Sequence, residues 1–208
     1  GRVTVCRVGS TVTFPARFVL LGAMNPCRCG HAGDTRRPCT CTPREKRLYQ
    51  RRISGPLLDR IDLRVDVPAL SWNEIAGSDG AEPSAVVRGR VERARGIQER
   101  RNGRTRTGPR LNSRLETRPI EKHCRLDAEA RRTLQAVVES HGLSARGYTR
   151  LLRTARTIAD LDGCVGVDRQ HLLEAAEHIR PWPGNEQQVI SKIDRAEVRN
   201  EEVEARQA

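Results

Sequence analysis

Four cysteines stand as two C-x-C pairs, Cys27 with Cys29 and Cys39 with Cys41, separated by nine residues rich in Gly, Pro and Arg. Two close thiol pairs flanking a loop can converge on one tetrahedral zinc, and four thiolates close the site, which makes it structural rather than catalytic. Such a centre staples a loop that has no apolar core of its own. His31, in the same loop, is an alternate ligand. The spacing departs from the commoner C-x2-C pairs, so free thiols or disulfides are the competing readings, disulfides the weaker in a reducing compartment. Cys6, Cys124 and Cys164 are isolated and read as small buried residues. Just ahead of the first pair, the apolar run over 18–23 leads to Asn25. If that run is a buried strand of an open parallel sheet, its carboxyl end borders the ligand crevice, and Asn25 stands where a phosphate is read. A strand-end asparagine capping the next turn is the plainer alternative.

Arginine supplies the other candidate chemistry. The 208 residues carry 38 basic against 26 acidic side chains, a net charge of +12. That excess favours polyanion partners such as nucleic acid. Only Lys46, Lys122 and Lys192 are lysine, a skew toward arginine that a GC-rich genome produces without any selection for binding. The densest stretch, 88–118, holds eleven Arg against three acids, and Arg88, Arg95, Arg101 and Arg104 are its candidate phosphate contacts, with Arg2 and Arg7 near the amino end. Aromatic residues are only 3%, so base stacking is excluded as a main term and any binding should be backbone-directed and salt-sensitive. Arg60 stands in LLDRIDL, where an ion pair with Asp59 or Asp62 is the bland reading.

The elements that must position these residues follow from pattern. Residues 2–8 and 11–14 alternate apolar and polar around Gly9 and Ser10, a β-hairpin with a tight turn. Thr42, Pro43 and Glu45 read as cap, first-turn proline and first-turn acid of a helix over 43–53. The alternation over 61–67 predicts a further strand, followed by a short helical turn near 71–76 and a loop over 78–84. A basic helix is expected over 86–101, then an irregular stretch in which Gly, Pro and Asn punctuate too often for a helix. Three helices are expected over 127–140, 145–161 and 169–178, capped by Asp127, Ser144 and Asp168. On a wheel of the second, Arg146, Arg150, Arg153 and Arg156 fall opposite Leu151, Leu152, Ala155, Ile158 and Ala159, so one face packs while the other meets solvent or phosphate. A solvated arginine face is the expectation for most of the four, with Arg146 the exception.

Four blocks, FPARFVLLGAMNPCRCG, the second CxC, SGPLLDRIDLRVDVP and LSARGYTRLLRTARTIADL, together resemble the magnesium-chelatase-like AAA+ ATPases, most closely their competence-associated branch. The resemblance covers about 1–180 and implies an α/β fold: the later part of a P-loop ATPase core, with a β-hairpin, parallel strands and helices, followed by an α-helical lid. It implies ATP and Mg2+ as ligands of the full-length enzyme, a self-assembled ring, a hexamer in the family pattern, and DNA, branched or single-stranded, as partner. By position, Asn25 matches sensor 1, Arg60 the arginine finger that reaches the neighbouring subunit's nucleotide, and Arg146 sensor 2. The opening hairpin matches the insertion before sensor 1, which projects toward a central channel in related helicase-type enzymes.

The expected layout is 1–80 as the end of the ATPase core with the four-Cys loop at 27–41, 81–120 as an Arg-rich helix and linker, 121–180 as the lid, and 181–208 as a polar tail. The sequence has no G-x-x-x-x-G-K-[ST] phosphate loop and no apolar run ending in paired acids, so the chain is expected to hydrolyse no ATP alone and to be a fragment whose nucleotide-holding half lies upstream. No apolar run approaches the ~20 residues of a membrane span and no signal peptide is visible, so a cytoplasmic location without membrane contact is expected. Two other functions compete: a chelatase-type subunit remodelling a protein partner, and a motorless zinc-stabilised nucleic-acid-binding module.

Overall fold

The computed structural model describes residues 1–34, 36–58, 60–70, 72–77, 82–106 and 108–179. Two compact units are resolved, Gly1–Ile53 and a second that starts at Ser54. The expected tail over 181–208 and most of the loop over 78–84 lie outside the described residues.

In the first unit, strands β1 (Arg2–Arg7) and β2 (Ser10–Pro15) pair antiparallel with Val3 opposite Phe14 and Val5 opposite Val12. The turn between them needs a residue with positive φ, and Gly9 provides it at +87°. Thr4 and Thr13, also opposite each other, share a 3.0 Å hydroxyl hydrogen bond on the other face. Helix α1 (Pro43–Gln50) starts as expected: the Thr42 hydroxyl accepts from the Glu45 amide, while the Glu45 carboxylate accepts from the Thr42 amide. That reciprocal bond holds the Glu45 carboxyl below its usual range, first through the Thr42 backbone.

The predicted strand over 18–23 is not formed. These residues lie outside any ladder, with Phe18, Val19 and Leu21 each more than three-quarters exposed. The run over 61–67 likewise joins no sheet, and Val65 and Val67 face solvent. The physical reason is the same for both. A strand is stabilised by neighbours that take its amides and carbonyls. Here β1 and β2 satisfy only each other, and among the described residues no strand is parallel to another.

The second unit is helical. Short helices α2 (Gly55–Leu58) and α3 (Trp72–Ala76) precede the long α4 (Ser84–Asn102). A two-residue antiparallel ladder, β3 (Arg104–Thr105) with β4 (Gly108–Pro109), and a 3-10 turn at Asn112–Arg114 lead into α5 (Thr117–Cys124), α6 (Ala128–His141), α7 (Ala145–Leu161) and α8 (Arg169–Glu177). The three predicted caps are present: Asp127 accepts from the Ala130 amide at 2.8 Å, Ser144 from Gly147 at 3.2 Å and Asp168 from His171 at 3.1 Å. His171 completes a reciprocal cap, its Nδ1 accepting from the Asp168 amide.

Helix α5 begins inside the stretch expected to be irregular, which runs to Pro119, and continues into the start of the expected lid, ahead of the first helix expected there. Its proline, Pro119, sits in the first turn, where the missing N–H costs no intrahelical bond, and Ile120 and Cys124, four apart, both go into the core. That core is one cluster made by α5 to α8 with Leu115, in which Ile120, Val137, Leu151, Leu152 and Leu172 are each at most 1% exposed. Burial pushes the Cys124 thiol up to about 12, so it is an inert apolar filler as expected. Cys6 and Cys164, in contrast, are exposed. Among the described residues no helix is long and apolar enough to cross a membrane.

Candidate functional site

The loop between β2 and α1 draws four sulfurs together. The Sγ atoms of Cys27, Cys29, Cys39 and Cys41 all lie within 4.8 Å of one another, with Cys27 buried and the other three half-buried. Cys27 is 3.3 Å from Cys29 and 3.7 Å from Cys39, and Cys29 is 3.6 Å from Cys39. A Zn–S bond of about 2.3 Å makes the sulfur–sulfur edge of a tetrahedron about 3.8 Å, so these spacings suit a thiolate-bound metal. They are far longer than a disulfide bond of about 2.05 Å, and all four cysteines are free.

Tight turns make the convergence possible. Gly30 donates to the Cys27 carbonyl at 3.1 Å, and Gly30 and Gly33 take φ of +87° and +86°. His31 leans toward Asp34 instead of joining the sulfurs, with Nδ1 3.4 Å from the carboxylate. The Asp34 carboxyl is held down first by the Arg36 amide, which donates to it at 2.8 Å. The thiols themselves are unequal. The His31 backbone amide, and then the Cys27 thiol, bring Cys29 down to about 5. Cys41 also receives a lowering backbone hydrogen bond from Cys29, but burial and the neighbouring Cys29 and Cys27 sulfurs outweigh it and push Cys41 up to about 11. One ready thiolate, Cys29, beside one reluctant thiol, Cys41, belongs to a set whose protons a divalent cation would displace.

The phosphate candidates are distributed over both units. Asn25 belongs to the first and is exposed on irregular chain two residues before Cys27. Arg60 and Arg146 belong to the second, and both are exposed. The Arg60 guanidinium folds back to donate to the Pro56 carbonyl. Among the described residues no ion pair joins it to Asp62, and Asp59 lies outside them. Arg146 stands in the first turn of α7, beside amides whose partial positive charge suits an anion.

The rest of the expected arginine face is not solvated, which corrects the wheel reading. Arg150 donates from Nη1 to the Ile61 carbonyl at 2.8 Å. Arg153 takes the Leu115 carbonyl with Nε at 2.8 Å and with Nη2. Arg156 is fully buried; it donates to the carbonyls of His123, Cys164 and Val165 and pairs with Asp160. A wheel sorts side chains by polarity, but a guanidinium has five donors and will enter a core that offers enough acceptors.

The nucleic-acid candidates also divide. Arg2, Arg7, Arg88 and Arg95 are exposed. Arg104 is exposed but paired with Glu99. Arg101 is turned inward: Nη1 and Nη2 meet the two oxygens of Asp160 at 2.5 and 2.7 Å, and Nη2 also reaches Asn112 Oδ1 at 2.8 Å. Asp160 therefore accepts from two guanidiniums and from the Asn112 side-chain amide at 2.9 Å, and the Asn112 backbone amide bonds Gln98. This buried network was missed in the sequence. Its signal was Asp160 flanked by Ile158, Ala159 and Leu161, an acid at an apolar position that requires an internal cation.

Residues 1–75 match the family model for magnesium chelatase, subunit ChlI, and residues 81–178 match the model for that subunit's C-terminal region. The chain belongs to the magnesium chelatase family. It is 40% identical to the protein YifB of Salmonella typhimurium over 184 residues, covering 86% of this chain and 34% of YifB. It is 38% identical to the competence protein ComM of Haemophilus influenzae over 176 residues, 84% of this chain and 33% of ComM. The protein Rv2897c of Mycobacterium tuberculosis is 37% identical over 164 residues, 78% of this chain and 31% of that protein. The chain thus spans about a third of the length of these curated relatives.

Proposed function

We propose that this magnesium chelatase family chain supplies the sensors, arginine finger and lid of a ring-forming AAA+ ATPase, hexameric by family pattern, that spends ATP on remodelling or branch migration of DNA in transformation and recombination. The observation that carries the nucleotide part lies within α7: Arg150, Arg153 and Arg156 are committed to carbonyls, whereas Arg146 at its start remains on the surface. Arg60 is exposed as well, with its guanidinium donating to the Pro56 carbonyl. Similarity to a protein named for competence supports the DNA part.

In this reading Arg60 reaches the nucleotide of the neighbouring subunit and neutralises charge growing on its γ-phosphate, Arg146 binds phosphate beside the amino end of α7, and Asn25 orients the attacking water. Magnesium bound with ATP would supply positive charge to the phosphates. The chain brings no phosphate loop of its own and alone hydrolyses no ATP. Cys27, Cys29, Cys39 and Cys41 hold a structural Zn2+ that fixes the loop after Asn25. DNA is met through backbone phosphates by Arg2, Arg7, Arg88 and Arg95, with Arg104 sharing its charge with Glu99.

The test mixes Arg60→Ala subunits of the full-length protein with wild-type subunits. A finger that acts in the neighbour's site makes ATPase fall more steeply than dilution; a fall that follows simple dilution rejects the assignment. The family models name a chelatase subunit, which favours one second reading, remodelling of a protein partner. Stimulation of ATPase by branched or single-stranded DNA distinguishes the two. Salt-dependent DNA binding that is indifferent to Asn25 and Arg60, with no ATPase, would mark a motorless binding module.

A further inference from the structure

The segment that carries Arg60 is tied to the helices that carry Arg146. Arg150, one turn beyond Arg146 on the same side of α7, donates to the carbonyl of Ile61, the residue next to Arg60, at 2.8 Å. Further along, the Arg64 amide donates to the His178 carbonyl at 2.9 Å, and His178 Nδ1 lies 3.2 Å from the Arg64 carbonyl. At its start the segment is also held by the Arg60 and Ile61 amides, which donate to the Leu57 and Leu58 carbonyls at 2.9 and 3.1 Å, but among the described residues it has no sheet to fix it beyond them. Residues 61–67 join no ladder, and Leu63, Val65 and Val67 are at least half exposed. The far side of the tie is rigid: Leu151 and Leu152, adjacent to Arg150, are fully buried.

We propose that Arg150 is a positioning residue that couples the finger segment to α7, with His178 as a second tie, so that Arg60 and Arg146 move as one body. This rests on the nucleotide roles given above. The strut runs from a guanidinium to a main-chain oxygen, so it fixes the backbone beside Arg60 without occupying the Arg60 side chain. A shift of the lid when Arg146 meets phosphate is then transmitted to the finger, which on that reading serves the adjoining subunit. Arg153 gives a built-in comparison: it lies on the same helix and makes the same kind of bond, but its carbonyl belongs to Leu115, inside the helical core.

The experiment uses rings of the full-length protein and compares Arg150→Met, Arg150→Lys, His178→Phe and Arg153→Met with Arg60→Ala and Arg146→Ala. ATPase kcat, ATP affinity from a fluorescent nucleotide and Tm are read for each. A finger misplaced by about 1 Å costs on the order of a hundredfold in rate. Arg150→Met is therefore expected to lower kcat at least about tenfold while ATP affinity stays within about twofold, Arg150→Lys to recover part of the loss by donating one bond, and His178→Phe to cost about threefold. Arg153→Met should lower Tm with little change in kcat. The coupling is overturned if Arg150→Met and Arg153→Met lower kcat alike, or if Arg150→Met leaves kcat unchanged while Arg60→Ala and Arg146→Ala abolish it. If Arg150→Met rings do not assemble, Arg150→Lys and His178→Phe decide: wild-type kcat in both overturns the coupling, and a reduced kcat at wild-type Tm supports it. Wild-type kcat in Arg60→Ala and Arg146→Ala would overturn the nucleotide reading itself, and the coupling with it.

Discussion

The four-cysteine loop and the helical unit solve the same problem, fixing a chain in one geometry, by opposite means. The loop has one buried apolar-class residue, Cys27, and is drawn together by sulfur. The helical unit closes on leucine, isoleucine, valine and alanine, with one carboxylate and two guanidiniums inserted between α4 and α7. A short insertion cannot bury enough apolar surface to offset its ordering entropy, so it must use stronger individual bonds. A helical unit with a core closed by α5 to α8 can, and it spends its buried polar groups on deciding which helix meets which. On the proposed zinc reading, order in the first region is conditional on an added ion, and in the second it is intrinsic.

The largest expected effect tests that contrast directly. Structural zinc in small domains contributes on the order of 10 kcal/mol or more to folding. Removing metal with a strong chelator, or changing Cys27→Ser, should release the loop: hydrogen exchange over 27–41 rises to near-unprotected rates while the helical unit keeps its protection. Equal loss of protection in both regions would end the comparison. Next, Asp160→Ala strands Arg156 in the core and frees Arg101. Removing one partner of a buried pair costs about 3–5 kcal/mol, so chemical denaturation of the helical unit should shift by that amount with metal content unchanged. Leu152→Ala, a plain cavity in the same core, should cost about 3 kcal/mol in the same assay, likewise without loss of metal.

The smallest effect concerns His123. Burial, and then the charges of Arg101, Lys122 and Arg156, hold its pKa below the usual 6.5. The unfolded chain therefore binds the proton first on acidification, so His123 removes stability as the pH falls through about 6.5 and stops doing so once the folded-state value is passed. Melting curves between pH 7.5 and 5 should show a steeper loss for wild type than for His123→Gln. A parallel pair of curves would show that the site is more open than its burial implies.

What was legible in the sequence follows from how local each signal is. Thr42 with Glu45, and Asp127, Ser144 and Asp168 before apolar periodicity, announce helix starts within four residues, and each is where the pattern placed it. The C-x-C pairs announce convergence of sulfur in the same way. Strands are different. The alternation over 61–67 and the apolar run over 18–23 are valid strand patterns, but a strand requires partners that may be far away in the chain, and none lies beside them among the described residues. Helix α5 was hidden because Pro119 reads as a breaker until its position in the first turn is known. The fates of Arg101, Arg150, Arg153 and Arg156 were also hidden, since each depends on an acceptor contributed from at least one other part of the chain.

Those arginines change what the chain's composition means. An excess of arginine over lysine can be produced by nucleotide bias, in which case the two would be interchangeable wherever only charge matters. At position 156 they are not. The planar head there joins the carbonyls of His123, Cys164 and Val165 to the carboxylate of Asp160, tying the end of α5 to the turn that follows α7. An ammonium has three donors and no fork, and it cannot span that set. Whatever the origin of the arginine excess, a codon change to lysine at this position would open the joint between α5 and the turn after α7.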